Sequence, residues 1–206
     1  AYSSPLYHPM SQGIALEGMR LVTTYLPRAY ATPDDLEARA HMMSAAAMGA
    51  TAFQKGLGAI HAMSHPVGAV FNTHHGTTNA VCMPAVLAFN ADTIRDRFDQ
   101  AAAYLGIDGG FDGFCEFVQQ FNDSFAIPRT LTEMGVSADR LDDLVAVALE
   151  DPSCGGNPVE LTADSLRRLL FLLLAGSVSG VSWIRSAICI SSIVLRHLLW
   201  LGVSHI

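Results

Sequence analysis

The stretch Gly56-Leu57-Gly58-Ala59-Ile60-His61-Ala62-Met63-Ser64-His65-Pro66-Val67-Gly68, with its continuation through Asn72-Thr73-His74-His75-Gly76 to Met83-Pro84, decides how this chain is read. Four of the eight histidines fall here, set among small and apolar residues where an imidazole needs a reason to be. His61 and His65 are four apart, so on a helix they share one face. Pro66 has no backbone N–H and crowds the preceding turn, so it is expected to stop that helix or bend it. The chain then passes Gly68 and Asn72-Thr73 before reaching His74-His75-Gly76. One imidazole on a helix and a second beyond a turn is a way to bring two nitrogen donors to one metal ion. Against this, a single histidine on an apolar face is more often a hydrogen-bonded core residue. His8, His41, His197 and His205 have no such company and read as surface or structural residues.

The third histidine and the residues around it favour the metal. The stretch resembles the signature of the iron-containing (group III) alcohol dehydrogenases. That signature runs His-Ala-x-x-His-x-x-Gly, six residues, His-Gly, then Asn-Ala and a Leu-Pro or Met-Pro. Here it stands without gaps as His61 to Gly68, His75-Gly76, Asn79-Ala80 and Met83-Pro84. The resemblance implies that His61 and His75 bind the metal, iron (Fe2+) or zinc (Zn2+), and that His65 lies beside substrate and nicotinamide. His74 stands where the family usually has proline and is not counted as a ligand. Phe53 matches an aromatic position of the substrate pocket, although a core phenylalanine suits the same spot.

The resemblance covers about residues 1–170. It implies an all-α helical bundle, the C-terminal metal-binding domain of such an enzyme. In that family an N-terminal Rossmann-like domain binds NAD(P), and the remaining ligands come from an Asp-x-x-x-His helix expected before Ala1. No Gly-rich phosphate loop occurs in this sequence, so no cofactor-binding residue is assigned. The implied reaction is the interconversion of a small alcohol and its aldehyde or ketone, with the metal as Lewis acid. Lacking the nucleotide domain and two ligands, the isolated chain is expected to be catalytically inactive. The competing reading is a helical module with incidental histidines.

The bulk composition agrees with a folded domain. The chain has 206 residues, 50% of them hydrophobic and only 15% charged, which excludes disorder. A net charge of −7 argues against a nucleic-acid partner, which would need a basic face. Cys82, Cys115, Cys154 and Cys189 form no Cys-x-x-Cys pair, so free thiols in a reducing cytoplasm are expected. No basic-then-apolar leader is present at the N-terminus.

Helical periodicity runs along most of the chain. A helix is expected over 11–27, and a second after Thr32-Pro33-Asp34-Asp35, with Thr32 as its cap. Further helices are expected over 76–90 and, separately, 92–105. Over 112–125, Phe114, Phe117, Val118, Phe121 and Phe125 form one stripe, read as core. Ser137 is expected to cap the next helix, where Leu141, Leu144, Val145 and Ala148 repeat at helical spacing. Asp151-Pro152-Ser153-Cys154-Gly155-Gly156-Asn157-Pro158 is a turn by composition; in the family a Gly-Asn-Pro segment packs by the active site. Thr162 is expected to cap the last helix. Residues 171–206 read as a divergent apolar tail. Its uncharged run is shorter than the ~20 residues a bilayer span needs. Membrane association through it is the less favoured reading, and exposed apolar surface there would favour association of copies.

Overall fold

In chain order the helices are α1 (Pro9–Ala31), α2 (Leu36–Ala52), α3 (Ala59–Phe71), α4 (His75–Leu105), α5 (Gly110–Ser124), α6 (Leu141–Glu150) and α7 (Ala163–Ala175). They come from a computed structural model that describes residues 1–176, among which no strand occurs. The all-α expectation holds. Short 3₁₀ turns at Phe53–Lys55 and Pro152–Gly156 flank the region of the histidines.

Helix α4 is the spine. Its first half packs with α3, α6 and α7 around Met63, Val67, Val81, Leu144, Leu166 and Leu170. Its second half packs with α5 around Ile94, Phe98, Phe111 and Phe114, where Tyr2 joins them. The sequence reading divided this helix near residue 91, but the backbone is continuous. Asn90, Ala91 and Ile94 are all buried, so packing carries the helix through a place where local pattern suggested a break. Pro84 does not break it either. A proline leaves the carbonyl four residues back without its helical donor. That carbonyl, on Ala80, instead accepts a hydrogen bond from Asn122 Nδ2 of α5 at 3.0 Å.

The cap of α2 also differs from expectation. Thr32 is instead the residue that closes α1, donating its N–H to the Arg28 carbonyl at 2.8 Å. Asp35 opens α2, accepting from the Ala38 N–H at 3.0 Å. Thr162 behaves as expected and forms a reciprocal capping box with Ser165.

The aromatic stripe of α5 is only partly core. Phe114 and Val118 are buried. Phe117 and Phe121 instead line an open apolar hollow of about 440 Å³ between α1, α2, α4 and α5, which Gly18, Met83 and Phe53 also border. Helical spacing shows which residues share a face but not whether a neighbouring element covers it.

Two buried polar arrangements hold the connecting segments. Lys55 is 1% exposed, and its ammonium donates to the Ser4 carbonyl while the Ser4 hydroxyl donates to the Lys55 carbonyl. Arg97 Nη1 donates to the Tyr2 and Ser4 carbonyls at 3.0 and 2.7 Å. Burial and then the Arg97 charge pull the Lys55 pKa down to about 8. Together these contacts tie the N-terminal segment to the 3₁₀ turn that carries Phe53. The second arrangement joins Asn90 and Asn157. Asn157 Oδ1 accepts from Asn90 Nδ2 at 3.0 Å and from the Ala59 N–H at 3.1 Å. Asn157 Nδ2 donates to Asn90 Oδ1 at 2.9 Å and to the Val159 carbonyl at 2.7 Å. Every polar valence of that side chain is used, and one of them anchors the first N–H of α3. The turn can approach this closely because Gly156 has no Cβ: one placed there would lie 1.9 Å from the Leu57 carbonyl oxygen.

Helix α7 buries Leu166, Leu169, Leu170, Leu172, Leu173 and Leu174 before ending at Gly176. The remainder of the expected tail, 177–206, lies outside the described residues, as do His197, His205 and Cys189. Among the described residues no helix is long and apolar enough to cross a membrane. Cys82, Cys115 and Cys154 are free. Burial pushes the Cys82 and Cys115 thiols up to about 12, which disfavours thiolate chemistry at either.

Candidate metal centre

Helix α3 does not stop at Pro66. It continues to Phe71, with Ser64, Pro66 and Val67 all buried against neighbouring helices. The break falls instead at Asn72, which takes a left-handed conformation with φ 53° and donates its N–H to the Gly68 carbonyl at 2.9 Å. Asparagine tolerates this region better than most non-glycine residues. Two residues on, His74 opens α4, its Nδ1 accepting from the Thr77 N–H at 3.3 Å. His74 therefore has a capping role, as does His8, whose Nδ1 accepts from the Ser11 N–H at the start of α1 at 3.1 Å. His41 stacks on Tyr25 with ring centroids 3.9 Å apart.

This turn sets the first residue of α4 against the exposed face of α3. The ring centroids of His61 and His65 lie 5.6 Å apart, those of His61 and His75 5.3 Å, and those of His65 and His75 5.4 Å. The three rings form a nearly equilateral cluster. The Nε2 atoms of His75 and His61 both face one atom, Asn79 Nδ2, at 3.0 and 3.4 Å. Asn79 Oδ1 is buried and has no hydrogen-bond partner among the described residues. Two imidazole lone pairs thus converge on one positively polarised N–H₂ group. A cation would be drawn to the same convergence of lone pairs, so the donor chemistry of His61 and His75 fits a divalent metal as part of a ligand set. Among the described residues, no group of three or more His, Cys, Asp or Glu side chains is arranged to hold a metal ion.

His65 is engaged differently. Its Nδ1 lies 2.7 Å from Asp151 Oδ2, in the turn after α6. Burial acts to raise the Asp151 pKa, but the hydrogen bonds from His65 and the Ser153 N–H outweigh it, and the carboxyl sits below its usual range. Phe53, about half exposed, meets the His61 ring edge-on with centroids 6.2 Å apart.

Burial, then the neighbouring His75 and His65, hold the His61 pKa down at about 4. The ring is therefore neutral near pH 7, the state that can donate a lone pair to a metal. The linkage has a definite sign. The folded value lies below the ordinary histidine value of about 6.5. Between the two, the unfolded chain binds more protons, so stability is fully present above pH ~6.5 and is lost as pH falls towards 4. After discounting for the ring's partial exposure, the loss attributable to His61 should be about 1–2 kcal/mol. Urea unfolding at both ends of that window should show a smaller drop for His61→Gln than for the parent.

The Fe-containing alcohol dehydrogenase family, C-terminal model matches residues 1–172. The chain belongs to that family. It is 39% identical over 178 residues to the 4-hydroxybutyrate dehydrogenase of Cupriavidus necator, covering 82% of this chain and 46% of the relative. It is 34% identical over 178 residues to the NAD-dependent methanol dehydrogenase of Bacillus methanolicus, again over 82% of this chain and 47% of the relative. The crystal structure of an iron-containing alcohol dehydrogenase from Corynebacterium glutamicum superposes with a TM-score of 0.74 at 32% identity, covering 86% of this chain and 49% of that one. The chain spans about half the length of the curated relatives it matches.

Within this iron-containing alcohol dehydrogenase domain, the structure brings His61, His65 and His75 together and places Phe53 beside them. Two further residues contribute to the cluster. Asn79 was legible only as a motif position, and its side chain meets both rings because it lies one helical turn beyond His75. Asp151 was read only as part of a turn. It lies 86 positions from His65, and nothing local in the sequence announces the pair.

Proposed function

We propose that this chain is the metal-binding helical part of an NAD(P)-dependent dehydrogenase that interconverts a small alcohol and its aldehyde or ketone. The observation that supports it is the convergence of the His61 and His75 Nε2 lone pairs on a single point, beside the motif through which the family resemblance runs. A divalent iron or zinc ion held there, when bound, supplies Lewis acidity that lowers the pKa of an alcohol hydroxyl. The chain's own groups do the rest that falls to this half. His61 stays neutral, and His61 and His75 are the lone-pair donors to the ion. His65, at the open side of the cluster, takes or returns the hydroxyl proton. Phe53 gives the reacting end of the substrate an apolar wall. Hydride acceptance belongs to the nicotinamide.

A second reading, in which the chain by itself does not turn over substrate, is favoured by the small donor set. Two imidazoles are a weak grip on a divalent ion, and the described residues supply no third metal-binding partner. Titration of the apo-chain with Co2+, followed by visible absorption, tests the metal assignment. Weak binding with a nitrogen-ligated d–d spectrum is expected. Absence of any binding would remove the metal, and with it the dehydrogenase reading of this cluster. With NADH and a small aldehyde, no turnover by the chain alone is expected; robust turnover would overturn the second reading.

A further inference from the structure

We propose that Asp151 is a positioning residue for His65: its carboxylate fixes the imidazole as the Nδ1–H tautomer and leaves Nε2 as the bare, basic nitrogen at the cluster. This rests on the reading of His65 as the proton-handling group. The geometry carries it. Asp151 Oδ2 is 2.7 Å from His65 Nδ1. An ionised carboxylate accepts only, so the proton on that contact belongs to the ring. The other carboxylate oxygen, Oδ1, accepts from the Ser153 N–H at 2.8 Å, so the group cannot swivel without losing a second bond. Its side chain is 13% exposed, and Pro152 follows it in the turn, which restricts the backbone there. The ring is therefore oriented from a fixed point on a different element, while it stacks against His75 at an interplanar angle of 16°. A base oriented by a third group in this way is the general arrangement for proton transfer at a reacting centre. Through Asp151 the turn between α6 and α7 becomes part of the site.

The substitution Asp151→Asn separates positioning from folding. The Ser153 N–H still requires an oxygen, so the amide keeps Oδ1 there and turns its NH₂ towards His65. That group can only donate, and Nδ1 must then accept. The proton on the ring is driven to Nε2. In the 15N-histidine-labelled apo-chain at mildly alkaline pH, with the His65 signals assigned by their loss in His65→Gln, the parent should show Nδ1 protonated. Asp151→Asn should change the tautomer ratio at least ~10-fold in favour of Nε2–H, the equivalent of one charge-assisted hydrogen bond. Asp151→Ala, which offers neither donor nor acceptor, should fall between the two. Co2+ affinity of Asp151→Asn should stay within ~2-fold of the parent, because His65 is a positioned base rather than a ligand. An unchanged tautomer in both variants would overturn the proposal. So would a loss of Co2+ affinity of ~10-fold or more, which would make His65 a ligand and Asp151 its support. If the parent binds no cobalt while the tautomer inverts as stated, the coupling of Asp151 to His65 stands and the metal reading alone falls.

Discussion

Asn157→Ala is expected to cost about 3–5 kcal/mol, a large part of the stability of a domain this size. The reason is the number of groups left behind. Asn90 loses both ends of a reciprocal amide pair, and the Ala59 N–H and the Val159 carbonyl lose their partners. Asn90 and Asn157 are 1% and 8% exposed, so water does not readily replace what is removed. The effect reaches the site as well as the fold. Asn157 holds the N-terminus of α3, and His61 is the third residue of that helix. Gly58 leaves no slack for repacking, since a Cβ there would sit 2.9 Å from Asn157 Oδ1. Urea unfolding measures the loss. Asn90→Ala should cost about as much, and the double variant little more than either single one, because both remove the same pair. A loss below ~1 kcal/mol, or simple additivity, would mean that the network does not bind α3 to the Asn157 turn.

His61→Ala and His75→Ala should each lower Co2+ or Fe2+ affinity by at least ~100-fold, beyond the 10–100-fold that supporting contacts around a metal usually carry. Among the described residues two imidazoles converge, so each is half of the nitrogen donor set they supply. His74→Ala is the internal control. Its ring is committed to the start of α4, so affinity should stay near the parent's while thermal stability falls by about 1 kcal/mol, the usual worth of a helix cap. Equal affinities in the parent and both cluster variants would remove the metal from this site. Loss in His74→Ala as large as in His75→Ala would show that the turn, rather than the donor atoms, governs binding.

Much of this was legible in the residues. The spacing of His61 and His65, and the return at His75, specified a shared face and a second approach. Those are local facts: a helix repeats every 3.6 residues, so four positions suffice to align two rings. The cap at Thr162 and the repeat of Leu144, Val145 and Ala148 were likewise readable, since capping and amphipathic patterning act within a few turns. A stop expected at Pro66 is a local reading of the same kind. Proline weakens a helix locally, but the burial of Ser64, Pro66 and Val67 on surrounding helices holds α3 together, and the break moves to Asn72.

What tertiary structure alone decided lies in pairs distant along the chain. Asn157 meets Asn90 across 67 positions, and Asp151 meets His65 across 86. Tertiary packing likewise decided that Phe117 and Phe121 border an open hollow while Phe114 is core, and that Asn122 satisfies the carbonyl freed by Pro84. Sequence by itself determined the helical class, the family and the histidines, because backbone periodicity and short motifs are written in neighbouring residues. Which polar groups complete one another was settled only when the helices packed, since a buried hydrogen bond depends on where two side chains end in space and not on how either is spelled.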